Sequence, residues 1–182
     1  ALRAQFETNV FGWQELTNLV IPVMRRQGYG RIIQNSSVLG FVALPFRGAY
    51  NASKYAIEGL SDTLRLELQG SNIHVSLIEP GPIASQFRTN AVKALSKYID
   101  IANSFHRERY QGVLNRLNKP GPAVPFTLPP EAVLERVIHA LEASRPQARY
   151  YVTFPTHLFG LLKRILSTRA LDVLLAKSGN NN

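Results

Sequence analysis

Residues 73–78, Ile-His-Val-Ser-Leu-Ile, make a short run that is apolar with almost no alternation. Such a run fits a strand covered on both faces, the situation of a parallel sheet flanked by helices. It follows residues 49–69, where Tyr50, Lys54, Ile57, Leu60, Leu64 and Leu68 recur at helical spacing and mark inward or interface positions. The same order occurs upstream. Residues 1–26 carry Phe6, Val10, Trp13, Leu16, Leu19, Val20 and Val23 on one helical repeat, and Gly28 and Gly30 then lead into the β-branched run 31–35. Helix, strand, helix, strand predicts an α/β fold around a parallel sheet. Within the first helix, Pro22 predicts a bend and Asn9 is a poor interior residue, because its amide competes for backbone hydrogen bonds.

Residues 30–54 bring chemistry to that frame. The strand ends at Ser36 and Ser37, a loop with Gly40, Pro45 and Gly48 follows, and a helix begins near Ala49. Tyr50 and Lys54 are four residues apart and share a helix face. A free phenol titrates near 10, and a neighbouring ammonium favours the phenolate, so the pair suits Tyr50 to general acid or base work. The Ser37 hydroxyl both donates and accepts and suits an oxygen whose charge changes. Of the seven tyrosines, Tyr50 is the one with Lys four places on. Tyr and Lys also decorate ordinary helix faces, so the pair alone leaves both readings open.

The ordered set is more specific than the pair. With Thr8-Asn-Val-Phe-Gly12 ahead of it and Pro80-Gly81 behind the second strand, the chain resembles the short-chain dehydrogenase/reductase family, in its hydroxysteroid and retinol dehydrogenase-like branch. The resemblance implies a Rossmann-like doubly wound parallel sheet of which this chain is the C-terminal part. It implies a catalytic set of Asn9, Ser37, Tyr50 and Lys54, with Asn9 supporting a water relay. It also places Tyr50, Lys54, Pro80, Gly81, Ile83 and Ser85 at the cofactor, NAD(P) with NADP favoured. A lipophilic carbonyl or alcohol as substrate and a homo-oligomer joined through the two long helices are implied as well. The family's Gly-rich phosphate turn is another matter, since none of the 12 glycines forms Gly-x-Gly-x-x-Gly. The expectation is that roughly a third of a family-sized chain precedes Ala1 and that these 182 residues alone do not turn over. The rival expectation is an inactive unit that only dimerises.

Residues 82–129 read as a substrate lid, with a weak helical pattern over 91–110 and a proline-rich end. Phe87, Tyr98, Ile99, Phe105 and Tyr110 line it or simply pack it to the core. A helix over 131–143 is expected to bury Val133, Val137, Ile138 and Leu141, and residues 150–153 to form the last strand. Residues 154–178 form an amphipathic extension with Lys163, Arg164 and Arg169, suited to packing on the body, capping the cleft or resting on a membrane. The end, 179–182, is expected to fray.

A 182-residue chain with 45% hydrophobic residues supports one partial Rossmann-like domain over 1–182. The absence of Cys excludes disulfides and thiolate metal sites, and His74, His106, His139 and His157 lack ligand spacing, so no metal is assigned. Ser37 lies outside Gly-x-Ser-x-Gly, against a serine hydrolase. No apolar stretch reaches the length of a membrane span, and a cytoplasmic location is the default. The net charge of +9 is concentrated in residues 145–182, where six Lys or Arg against Asp172 give +5. It reads as a solvated basic face, and nucleic acid is not expected as a partner because no recognition motif accompanies the charge.

Overall fold

The computed structural model describes residues 1–121 and 124–180; Pro122 and Ala123 of the expected lid and Asn181 and Asn182 of the expected frayed end lie outside them. Three strands, β1 (Gly30–Asn35), β2 (Ile73–Glu79) and β3 (Arg149–Tyr151), form a parallel sheet in the order β1-β2-β3. Ile32 lies opposite Val75 and Ile78 opposite Tyr150, so the nearly continuous apolar run is the central strand. Its Leu77 is wholly buried.

Helices cover both faces. On one, α3 (Gly48–Glu67) and α2 (Gly12–Gln27) pack Leu64, Ile21 and Met24 against Ile32, Val75, Ile73 and Leu68. On the other, α6 (Glu131–Glu142) places Val133, Val137 and Ala140 against Ile33, Ile78 and Tyr150. Small Ala140 lets α6 approach the sheet closely, and this selects its face. Ile138 and Leu141, expected inside, are therefore turned out, 43% and 51% exposed.

The first helix is not continuous. Five residues of α1 (Leu2–Phe6) pass into a π-helical turn, Glu7–Phe11, before α2 begins, and Asn9 sits within the widened turn. Pro22 is accommodated inside α2, which runs on to a left-handed Gly28, φ 78°. The weak pattern over 91–110 resolves into two helices, α4 (Phe87–Tyr98) and α5 (Arg107–Leu117). Arg88 joins them by donating to the carbonyls of Arg116 (3.1 Å), Leu117 (3.1 Å), Lys119 and Gly121 (2.6 Å). The C-terminal extension is likewise two helices, α7 (Phe154–Ile165) and α8 (Thr168–Asn180), parted where Leu166 turns extended. Phe159, Leu171 and Leu175 from this pair cover Leu39, Val42 and Tyr50. The turn that follows the C-terminal end of β1, the edge at which open parallel sheets bind ligands, thus lies beneath this extension.

Candidate active site

Beyond β1 the backbone stays tied to the neighbouring strand, with the Ser36 N–H donating to Ile78 O at 2.8 Å. Ser37 is extended and caps a 3-10 turn, Val38–Gly40; its Oγ accepts from Leu39 N at 3.2 Å and donates to Pro80 O at 3.4 Å. The Val38 N–H donates to the same Pro80 oxygen at 2.9 Å, so the two strand ends are joined directly. Ser36, beside it, donates to the buried carboxylate of Glu58. Ser37 is thus fixed by its own backbone, by Pro80 and by its neighbour's bond to α3.

Tyr50 stands on the first turn of α3, half-buried, with its phenol facing the Ser37 hydroxyl. The phenol's pKa is raised by burial, against the opposing effects of the Ser37 hydroxyl and the Arg47 cation. Lys54 is 5% exposed and donates to Asn35 O at 2.7 Å. Its Nζ lies 5.6 Å from the Tyr50 ring centroid and 5.1 Å from that of Trp13. Burial lowers the Lys54 pKa to about 8, with Glu58 one turn on pulling it back up. The expected effect of Lys54 on the phenol is therefore not what the structure shows. Lys54 addresses the ring face and a strand carbonyl, and Arg47 supplies the cationic field at the phenol. Arg47 itself is held down to about 10, first by burial and then by Arg116.

Asn9 reaches the same helix from the π-turn. Its Nδ2 donates to Ser53 Oγ at 3.1 Å, and Ser53, wholly buried, donates to Tyr50 O at 2.8 Å. Asn9, Ser37, Tyr50 and Lys54 are thereby brought into one connected group.

The segment after β2 is held as closely. A Cβ on Gly81 would stand 2.1 Å from Thr153 Oγ1 and 2.9 Å from Thr156 Oγ1, so only glycine fits there. Both threonines are fully buried and bonded to each other at 3.1 Å. Ile83 forms a parallel bridge with Leu128 and packs on the α6 side, while Ser85 is exposed, its Oγ accepting from Phe87 N at 3.3 Å. Pro80 and Gly81 thus lie beside Ser37, whereas Ile83 and Ser85 lead out toward α4.

Of the residues expected to line a lid, Phe87 sets its ring edge on Tyr50 at 5.3 Å, and Tyr110 meets Phe46 at 5.3 Å. Tyr98 is 42% exposed and Phe105 97%, its ring meeting that of the neighbouring His106 at 5.1 Å. Sequence reasoning missed Arg47, Ser53, Thr153 and Thr156. Arg47 carried a signal, its position three residues before Tyr50 at a helix start; the threonines carried none, because their role depends on the approach of a glycine seventy residues away. Among the described residues no group of three or more His, Asp or Glu is placed to hold a metal.

Residues 1–96 match the model of a family described as short chain dehydrogenase. The uncharacterized oxidoreductase YbbO of Escherichia coli strain K12 is 42% identical over 174 residues, covering 96% of this chain and 58% of that protein. Human 17-beta-hydroxysteroid dehydrogenase type 1 is 34% identical over 155 residues, 84% of this chain and 46% of the relative. This chain therefore spans about half the length of these relatives. A short chain dehydrogenase from Burkholderia cenocepacia J2315, solved in complex with NADP, superposes with a TM-score of 0.68 at 22% identity, over 96% of this chain and 59% of that one.

Proposed function

We propose that this chain, which belongs to the short-chain dehydrogenase/reductase family, is the proton-transfer part of an NAD(P)-dependent oxidoreductase acting on a carbonyl or its alcohol. The observation that carries this reading is the junction of Ser37, Tyr50 and Lys54 where β1 and β2 end. The Ser37 hydroxyl holds the substrate oxygen. Tyr50, protonated at neutral pH because burial raises its pKa, gives that oxygen its proton in the reducing direction and recovers it in the reverse. Asn9 acts through Ser53 on the backbone of Tyr50 and is a positioning residue, the starting point of any water relay.

The residues present fit the nicotinamide end of the cofactor. Lys54 has one carbonyl partner for its three donors, and Gly81, with no room for a side chain behind it, leaves backbone open in front. Tyr50, Lys54, Pro80, Gly81, Ile83 and Ser85 are its proposed contacts, with NADP proposed over NAD. When bound, the cofactor supplies or takes the hydride. No glycine of this chain forms a phosphate cradle, so the 182 residues by themselves are proposed not to turn over.

The residues of 82–129 are proposed as the substrate lid, with Phe87 and Tyr110 favouring a lipophilic substrate; the steroid named for the human relative is of that kind. A homo-oligomer through α2 and α3 is supported by outward-facing Leu16, Leu19 and Leu66, each more than 60% exposed. The same residues support the second reading, an inactive dimerising unit. No helix among the described residues is long and apolar enough to cross a membrane; the cytoplasm is the proposed location.

The test is oxidation of NADPH by lipophilic aldehydes and ketones, using a polypeptide in which this chain follows a Gly-rich nucleotide-binding segment of the family. Substrate-dependent loss of nicotinamide absorbance is expected. Nucleotide binding with no turnover on any carbonyl would leave only the dimerising unit.

A further inference from the structure

The helix α7 has two apolar faces, and one helix needs only one to fold. Inward, Thr156 and Gly160 are buried, Phe159 packs against the cluster of Leu39, Val42 and Leu175, and Lys163 donates to Phe41 O at 2.5 Å. Outward, Phe154, Leu158, Leu161 and Ile165 recur at steps of four, three and four, which sets them in one line along the helix. They are 56%, 37%, 57% and 65% exposed, and Phe126, 58% exposed, extends the line by lying on Phe154 with ring centroids 5.0 Å apart. A contiguous apolar strip of this kind marks a contact surface.

Charge says what it contacts. The helix α7 contains no Asp or Glu; His157 and Arg164 flank the strip, and α8 adds Arg169 and Lys177 against the single Asp172. The outward strip of α6, by contrast, with Leu134, Ile138 and Leu141, is set among Glu131, Glu135 and Glu142. We propose that the outer face of α7, with Phe126, docks on an anionic lipid surface, its apolar side chains entering the interface and Arg164, Arg169 and Lys177 facing the headgroups. The helix α7 packs on the turn after Ser37, and Phe159 and Tyr50 pack against the same cluster of Leu39, Val42 and Leu175, so a surface bound there lies beside the candidate site.

The test is vesicle flotation of the 182-residue chain itself, and it needs no catalytic activity. Vesicles of phosphatidylcholine mixed with phosphatidylglycerol are expected to retain the chain at least about tenfold more than phosphatidylcholine alone, since each basic side chain near the surface contributes roughly fivefold. The preference falls as salt is raised. The pair L161E/I165E, at exposed positions, abolishes flotation while circular dichroism keeps the helical signal; R164E/R169E removes the preference for anionic lipid. I138E, on the acidic face of α6, leaves flotation unchanged. Equal retention on both vesicles, flotation that survives L161E/I165E, or equal loss with I138E overturns the proposal. So does a chain that self-associates through this strip, seen as L161E/I165E shifting its sedimentation to monomer while lipid retention never exceeds the neutral control.

Discussion

Lys54 is a charged side chain placed where charge is costly, and its surroundings explain why it is kept. One strand carbonyl, two aromatic faces and the Glu58 carboxylate one turn away surround an ammonium whose pKa has fallen to about 8. A folded-state pKa below the unfolded value means that the protein binds fewer protons than the unfolded chain between about pH 8 and 10.5, so Lys54 adds stability as pH rises through that window. Function runs the other way. Carbonyl reduction is expected to decline as pH rises through about 8, where the cation proposed to hold the cofactor is lost; a flat pH–rate profile from 7 to 9 would remove Lys54 from that role. Gly81 gives a second test at this scale. Gly81→Ala drives a Cβ into the bonded Thr153 and Thr156, with an expected loss on the order of 1–3 kcal/mol in denaturant unfolding. Adding Thr153→Ala should recover part of that loss. That Ser37 and Tyr50 come close together was legible, because one follows a strand end and the other opens the next helix; the role proposed for Asn9 came from the family resemblance. The field at the phenol was not legible, because distance along a helix says nothing about which cation faces the hydroxyl and which faces the ring.

At the scale of elements, the sequence located the three strands among the described residues to within about two residues, most plainly β2, since a strand buried on both faces leaves a nearly uninterrupted apolar run. What period could not show is where a helix breaks. The π-turn at Glu7–Phe11 keeps an apolar repeat on either side, and only the placement of Asn9 betrays it. The α4–α5 break left no gap in the weak pattern, and Arg88 on α4 ties the two helices from the far end, where it satisfies four carbonyls of the α5 C-terminus and the turn after it. Arg88→Ala is expected to quicken amide hydrogen exchange in α5 while leaving β1 and β2 protected. Unchanged exchange in α5 would show that aromatic packing on Phe46 suffices. On α6 the expected Val133 and Val137 do face the sheet, but Ala140, where the sheet comes closest, takes the place expected of the more hydrophobic Ile138 and Leu141, which lie at the surface.

For the molecule as a whole, the sheet, α3 and the C-terminal region are joined by one polar cluster. Arg149 on β3 pairs with Glu58, with Asp62 at 2.7 Å and with Glu79 at 2.6 Å, and Ser36 extends the cluster to the candidate site. Glu79 is wholly buried, with Oε2 unbonded, and its carboxyl is pushed up to about 8, first by burial and then by Glu58, against the pull of Arg149. An acid whose folded pKa lies above its unfolded one stabilises the fold at low pH and loses that contribution as pH rises from about 4.5 to about 8. Glu79→Gln is expected to flatten the fall in stability over that range; an unchanged slope in urea midpoints from pH 5 to 8 would place the proton elsewhere. Such a cluster was invisible in sequence, since its members lie on α3, β2 and β3 up to ninety-one residues apart. The central claim is that Tyr50 moves the proton. Its most direct measurement is the steady-state rate of carbonyl reduction by NADPH with Tyr50→Phe, in the polypeptide carrying this chain behind a Gly-rich nucleotide segment. The account predicts a rate lower by about 10²–10⁴-fold with NADPH affinity retained; a rate near that of the unsubstituted protein would contradict it.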